Sequence, residues 1–176
     1  MTSPALPLDL LLEGTTVPTT VLSGNPRPGS RTLALARLAA TQLDPDTDLA
    51  EIDLAGLGGD VLDPAAPAVA DALRTLTGSE LAVLATPSYK GSFTGLLKVF
   101  LDHLPAGGLA GVTVLPVVVA ASGAHLVQTQ QHLDDVLREL GADVLPGLSV
   151  GERQLAAPGE AVAAWHASFV SAELRR

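Results

Sequence analysis

The sequence predicts a three-layer, doubly wound α/β fold around a five-stranded parallel sheet. The first observation is that the runs TVL, LAVLA and VTVLPVVVAA are apolar throughout rather than alternating. This is typical of strands buried on both faces of a parallel sheet. The second observation is that a segment with a helical pattern follows each strand candidate. Together they predict a chain of successive β-α units.

The five strand candidates are short, mostly apolar runs, and each is separated from the next by a helical segment. The first, third and fourth contain the three continuous runs quoted above, and we expect them to be buried on both faces. The predicted strands cover residues 19–22, 49–54, 81–85, 112–120 and 142–150.

Residues typical of helix termini bound several of the helical segments. Ser30 is a good N-cap for the first helix, and the second helix follows Pro64 and ends at Gly78. The third carries one continuous apolar stripe, and the fourth repeats this pattern and stops at Gly141. A fifth helix closes the chain. The predicted helices cover residues 31–42, 66–77, 93–104, 125–140 and 160–175.

Short loops and right-handed crossovers arrange such β-α units into a flavodoxin-like sheet with strand order 2-1-3-4-5, rather than a six-stranded Rossmann sheet. The chain of 176 residues is long enough to bury one core. It shows neither an internal repeat nor a break in composition. We therefore expect a single domain over residues 17–176, preceded by a loosely held N-terminal extension over 1–16.

The composition excludes several classes of function. The chain has no cysteine, which excludes disulfides, thiolate catalysis and cysteine-ligated metal centres. A net charge of −9 argues against nucleic-acid binding. No apolar run reaches the roughly 18 residues of a membrane span, and the first residues lack the basic segment of a signal peptide. We therefore expect a cytoplasmic protein that binds neither nucleic acid nor a membrane.

The loop after the first strand, SGNPRPGSRT, has the residue types of a phosphate site; we call residues 23–32 the first loop. Arg27 and Arg31 can pair with a phosphate, Ser30 and Thr32 can donate hydrogen bonds, and a helix N-terminus favours an anion. The alternative is that Ser30 only caps the helix. The loop matches neither G-x-G-x-x-G nor a Lys-Ser/Thr phosphate loop, so a dinucleotide-type Rossmann site or a nucleotide triphosphatase is not supported.

The loop after the third strand, ATPSYKGSFTG, is the second candidate; we call residues 85–95 the third-strand loop. It holds the only tyrosine, Tyr89, and one of the two lysines, Lys90. With strand order 2-1-3-4-5, ligands bind at the loops after the first and third strands. An aromatic side chain there suits a flat, conjugated ligand. The alternative is an ordinary turn in which Ser92 or Thr94 caps the next helix.

With both loops, the chain resembles the NADPH-dependent FMN reductase family, and within it the reductases that supply reduced FMN to alkanesulfonate-type monooxygenases. The first loop is similar to the family's Gly-Ser-x-Arg-x-x-Ser loop. TPSYKGSFTGLLKVFLDHLP is similar to its T-P-x-Y-x-x-x-x-x-G-x-L-K-x-x-L-D segment. LPVVVAASGAHL resembles its fourth strand and the loop beyond. The similarity spans about residues 19–142.

The resemblance implies a flavodoxin-like homodimer or homotetramer that passes hydride from NADPH or NADH to FMN, with a flavin-dependent monooxygenase as a possible partner. No catalytic side chain and no metal site are expected, because the flavin carries the redox chemistry. Residue by residue, the resemblance assigns the FMN phosphate to Arg27, Ser30 and Thr32; the ribityl chain and isoalloxazine to Pro87, Ser88, Tyr89, Lys90 and Gly91; and the pyrimidine edge to Ser122 and Gly123.

Three alternatives stay open. A quinone, azo-dye or chromate reductase that keeps its FMN would share the fold and the flavin site. GLSVG at 147–151 matches the G-x-S-x-G nucleophile elbow, with Ser149 followed by Glu160 and His166 in the order of an α/β-hydrolase. A flavodoxin-like binding protein without enzymatic activity is the third.

The helix after the fourth strand carries Gln131 or His132 where the sulfonate-linked reductases insert a residue that affects flavin exchange. Whether FMN is substrate or prosthetic group is therefore left open.

Overall fold

In residues 18–173, which the computed structural model describes, strands and helices alternate as predicted. The predicted N-terminal extension, 1–16, lies outside the described residues. The strands are β1 (Thr19–Ser23), β2 (Leu49–Asp53), β3 (Leu81–Pro87), β4 (Thr113–Ala120), β5 (Asp143–Val144) and β6 (Leu148–Gly151). The α-helices are α1 (Arg31–Leu43), α2 (Pro67–Thr77), α3 (Gly95–Asp102), α4 (Gly123–Glu139) and α5 (Pro158–Glu173). Two 3₁₀ helices cover Leu54–Leu62 and Glu152–Ala156.

The sheet is parallel throughout, and its strand order is β2-β1-β3-β4-β5. β1 lies between β2 and β3, with Ser23 opposite Asp53 on one side and Ala85 on the other. The strand order reverses here, because the chain crosses β1 to reach β3. The predicted doubly wound, flavodoxin-like α/β fold is confirmed, including the order 2-1-3-4-5.

The last strand differs from the prediction of one continuous strand over 142–150. β5 pairs with Thr113 and Val114 of β4, and β6 pairs with residues 117–120 of the same strand. The sheet therefore has six strands, because the segment between β5 and β6 leaves the ladder. Pro146 lies in that segment and has no N–H to donate to a neighbouring strand. Its carbonyl oxygen accepts a hydrogen bond from Trp165 Nε1 of α5 at 3.0 Å.

Apolar side chains cover both faces of the sheet and form two separate cores. Val21 and Val83 face α1 and α5, where they pack with Leu35 and Phe169. The adjacent residues of the same strands face the other way, towards α2, α3 and α4, and belong to a second cluster that includes Leu22, Leu84, Phe100 and Leu133. This alternation within fully buried strands produces the predicted three layers.

Three helices begin two residues away from the predicted start, and α2 begins one residue late, at Pro67, because a capping residue or a proline determines the first turn. α3 begins two residues later than predicted, since Thr94 Oγ1 accepts a hydrogen bond from Leu97 N at 3.1 Å. α4 begins two residues earlier, after Ser122, whose Oγ accepts from His125 N. α5 begins at Pro158, a residue that suits the first turn of a helix.

No helix within residues 18–173 has both the length and the apolar composition that a bilayer crossing requires.

Candidate functional site

The first loop and the third-strand loop meet at the carboxyl edge of the sheet. Gly24 N donates a hydrogen bond to Ala85 O at 2.8 Å, and Thr94 Oγ1 donates to Gly24 O at 2.6 Å. A Cβ atom on Gly24 would lie 2.7 Å from Leu97 Cβ of α3, closer than carbon atoms pack. Glycine at position 24 therefore lets the two loops that the sequence singles out become direct neighbours.

Asn25 organises the first loop from a buried position. Its Oδ1 accepts a hydrogen bond from Arg27 N at 3.0 Å, which closes an Asx-type turn. Its Nδ2 donates to Thr32 Oγ1, also at 3.0 Å. Asn25 thus connects the turn that carries Arg27 to the first turn of α1. It also lines the cleft, although the sequence analysis did not assign it to the site.

The N-terminus of α1 presents backbone donors to the cleft. Ser30 Oγ accepts from Leu33 N at 3.2 Å, so the predicted cap is confirmed. Within the described chain, no hydrogen bond occupies the N–H groups of Ser30, Arg31 and Thr32. Arg27 and Arg31 also form no ion pair within it. Consecutive open amides, a helix dipole and two guanidinium groups are the donor set that an anion site requires. The side chain of Ser30 caps the helix, and its backbone N–H is still available as a donor.

A cleft of about 370 Å³ opens beside these donors. Five predicted site residues line it: Arg27, Ser30, Thr32, Pro87 and Tyr89. Its other lining residues are Asn25, Pro28, Arg31, Val119, Glu152 and Leu155. The last two come from the 3₁₀ helix after β6, which the pairing of β6 with β4 brings to the same sheet edge. No motif in the sequence marks Glu152 or Leu155.

The third-strand loop forms a tight turn at Tyr89–Ser92. Tyr89 N donates to Ser92 O at 2.8 Å, and Ser92 N donates to Tyr89 O at 3.2 Å. Lys90 and Gly91 between them have φ angles of 56° and 81°, as a type I′ turn requires. The Tyr89 side chain lines the cleft yet remains 47% exposed. The turn therefore places an aromatic ring at the open side of the cleft.

The other predicted residues lie where the third-strand loop meets α4. The Ser88 hydroxyl is 2.7 Å from Thr129 Oγ1. A Cβ on Gly91 would lie 2.6 Å from Gln128 Oε1. Ser122 caps α4, Gly123 is its first residue, and Lys90 is exposed in the turn. None of these five lines the 370 Å³ cleft. Their assignment to FMN stays a prediction.

The hydrolase alternative finds no support in the geometry. Ser149 lies inside β6 rather than at a strand-to-helix turn, and its Oγ donates to Gln130 Oε1 at 3.1 Å. His166 Nδ1 lies 3.4 Å from Gln42 Nε2 of α1. The two residues of the supposed triad therefore have other partners. Within residues 18–173, no group of three His, Cys, Asp or Glu side chains could hold a metal ion.

Comparisons with known proteins identify the family of the chain. The family model described as NADPH-dependent FMN reductase matches residues 18–155. "FMN reductase (NADPH)" of Escherichia coli is 32% identical over 139 residues, covering 76% of this chain and 73% of that protein. "FMN-dependent NADPH-azoreductase" of Staphylococcus haemolyticus is 28% identical over 139 residues, covering 72% of each.

The fold comparison includes a solved structure of an NADH:FMN oxidoreductase in its apo form. It superposes with a TM-score of 0.71 at 28% sequence identity, covering 86% of this chain and 89% of that one. The resemblance drawn from the two loops is thereby confirmed, and with it the expectation of an oxidoreductase that uses FMN and NADPH. The chain belongs to the NADPH-dependent FMN reductase family.

Proposed function

We propose that this protein reduces FMN with NADPH or NADH and releases the reduced flavin to a flavin-dependent monooxygenase. The observation that carries the proposal is the row of open amides at Ser30, Arg31 and Thr32 beside the Arg27 guanidinium. A phosphate monoester carries about −1.5 to −2 charges near pH 7. This donor set matches such an anion in both charge and hydrogen-bonding type, so the residues present fit FMN.

The remaining parts of FMN fit the rest of the cleft. Pro87 and Val119 add apolar surface to the cleft that Tyr89 also lines. We propose that Tyr89 packs against the flat isoalloxazine at the open side, where a nicotinamide also has access. FMN, when bound, supplies the hydride-accepting ring. The chain's own residues bind and orient it, and no side chain needs to act as a general acid.

α4 provides the surface proposed for the pyrimidine edge. The N–H groups of Ser122 and Gly123 have no hydrogen-bond partner within the described chain. We propose that they donate to the polar edge of the flavin, where negative charge develops on reduction. This use would match the assignment made from the family resemblance.

Assembly and location are further parts of the proposal. We propose a homodimer or homotetramer in which α4 contributes to the contact, because its Val127 is 61% exposed. We also propose a cytoplasmic enzyme, since its reductant is supplied by metabolism there. Size-exclusion chromatography with light scattering would test the assembly, and a monomer at working concentration would contradict it.

The deciding experiment measures NADPH and NADH oxidation with and without added FMN, together with the absorbance spectrum of the purified protein. A colourless protein with FMN-dependent turnover would support release of reduced flavin. A yellow protein that oxidises NADPH only with an azo dye or quinone would instead support the retained-flavin alternative, which the azoreductase relative favours. A protein that oxidises neither nucleotide under any of these conditions would contradict both.

A further inference from the structure

Asp53 joins β2 to the first loop. It is the last residue of β2, and its Oδ2 accepts a hydrogen bond from Gly29 N at 2.8 Å. Gly29 has a φ of 61° and directly precedes the cap of α1. A left-handed residue at this point turns the chain into the helix. The Asp53 carboxylate therefore holds the peptide that orients the open amides of Ser30 and Arg31.

This contact also removes a donor from the anion site. Arg27 N is already used by Asn25, and Leu33 N is used by Ser30. With Gly29 N bound to Asp53, a ligand phosphate can reach only the amides of the helix start. The loop is thus shaped by its internal hydrogen bonds, which limits how many amides can bind a phosphate.

The negative charge of Asp53 also opposes phosphate binding, whereas its hydrogen bond with Gly29 holds the loop that presents the open amides. Within the described chain its carboxylate forms no ion pair, and its Oδ1 is buried without a hydrogen-bond partner. The nearby Arg37 is engaged by Glu51, with 2.5 Å between Arg37 Nε and Glu51 Oε2. The carboxylate accepts a hydrogen bond from the residue before the helix cap, so its negative charge, although partly offset by the nearby Arg37, repels a doubly charged phosphate bound at the helix start.

We propose that Asp53 is a positioning residue that sets the affinity of the first loop for the flavin phosphate, holding the loop in place while its charge keeps binding weak enough for FMN to exchange. The inference rests on the proposed function, since it assumes that FMN enters and leaves. It names Asp53, which does not line the 370 Å³ cleft and lies outside both sequence motifs, as a determinant of that exchange.

The test compares FMN with riboflavin, which has the same ring and polyol but no phosphate. Asp53→Asn keeps an acceptor for Gly29 N and removes the charge. We expect calorimetric titration to show FMN binding three- to tenfold tighter than in the wild type, and riboflavin binding within twofold. The gain should shrink in about 0.5 M NaCl, because salt screens the repulsion. In steady state, the KM for FMN should fall while kcat with riboflavin stays unchanged.

Two further variants separate the hydrogen bond from the charge. Asp53→Ala removes both, and its FMN dissociation constant should be at least threefold higher than that of Asp53→Asn. Asp71→Asn is the matched control. Asp71 and Asp53 both line a second cleft of the surface, but Asp71 pairs with Arg74 and forms no hydrogen bond with the first loop. This control should leave the ratio of the FMN and riboflavin dissociation constants unchanged.

If Asp53→Asn leaves the ratio of the FMN and riboflavin dissociation constants unchanged, the inference is overturned and the proposed function stays intact. Should that variant lose riboflavin binding through misfolding, Asp53→Ser, which also keeps an acceptor without a charge, decides by the same ratio. A wild-type protein that binds neither flavin and oxidises no NADPH would instead overturn the proposed function itself.

Discussion

At the scale of single residues, the two arginines of the first loop carry no ion pair in the described chain, a property they share with Lys90 and Arg153 outside the cleft. Arg37, Arg74, Lys98 and Arg138 each lie within 4.0 Å of a carboxylate. Arg27 and Arg31 line the cleft without an ion pair in the described chain. Exposed pairs contribute little to stability, whereas unpaired guanidinium groups beside open amides favour binding of an anion.

Replacing Arg27 tests the anion site directly. Arg27→Ala should raise the dissociation constant for FMN about 10- to 100-fold, because a charge-assisted hydrogen bond contributes roughly 1.5–3 kcal/mol. Riboflavin binding should change by less than about twofold, since it has no phosphate to lose a contact. Calorimetric titration of both flavins measures this. Arg74→Ala, on the exposed face of α2, is the control and should bind both flavins as the wild type does. An equal loss for both flavins would contradict the assignment.

Ser30 shows how far residue-level reasoning from the sequence reaches. Its residue type predicted either a helix cap or a phosphate donor. The side chain caps α1, while the backbone N–H of the same residue stays open to the cleft. A sequence reports which side chains are present but not which backbone groups remain without a partner. That depends on the turn made by Asn25 and Gly29.

At the scale of elements, the contact between the first loop and α3 controls how the two loops meet. Gly24→Ala should lower the free energy of unfolding by about 1–3 kcal/mol, because its Cβ would lie 2.7 Å from Leu97 Cβ in a packed region. Urea denaturation followed by circular dichroism measures this. Gly95→Ala is the control: Gly95 begins α3 with nothing near its would-be Cβ. It should be neutral or stabilise by up to about 1 kcal/mol. Equal unfolding free energies in the two variants would contradict the steric account.

The elements themselves were largely predictable, and the exceptions have a local cause. The apolar runs predicted every parallel strand up to β4. The last run, 142–150, also contains Pro146, whose missing N–H splits it into β5 and β6. Glu152 and Leu155 could not be predicted as lining residues, since neither carries a motif. Their place in the cleft follows only from the three-dimensional position of the segment after β6.

At the scale of the whole molecule, one partly buried carboxyl group links stability to pH. Burial raises the pKa of Asp134 on α4, although the hydrogen bond from Gln130 Nε2, 2.7 Å from Oδ1, opposes the shift. A carboxyl group whose pKa is raised on folding favours the folded state while it is protonated, which holds at pH values below its ordinary pKa of 3.8. This contribution is lost as the pH rises through the folded-state value.

Asp134→Asn should therefore gain stability relative to the wild type as the pH rises from about 3.5 to 7. The amide keeps an oxygen for Gln130 and carries no charge to desolvate. Unfolding free energies measured at both pH values provide the comparison. Asp135→Asn is the control, because the Asp135 side chain is 78% exposed. A stability difference between Asp134→Asn and wild type that is independent of pH would show that burial of this charge does not matter.

The strand order was predictable at this scale because it follows from simple connectivity rules. Five β-α units with short loops leave few arrangements once crossovers must be right-handed. The position of the site follows from the same order, since ligands bind where the order reverses. The shape of the cleft does not follow from these rules, because it depends on how the loops and the segment after β6 pack together.

The break between β5 and β6 provides a fluorescence probe, because the only tryptophan of the sequence is hydrogen-bonded there. The carbonyl of Pro146 in that break receives the indole N–H of Trp165, the single tryptophan of the chain. The same indole stacks on Phe169 with ring centroids 5.4 Å apart. Its emission therefore reports whether α5 is docked on the edge of the sheet. Because tryptophan emission overlaps flavin absorption, the same fluorophore would also transfer energy to a flavin in the cleft. Unlabelled protein is thus enough to follow both folding of the sheet edge and arrival of the flavin.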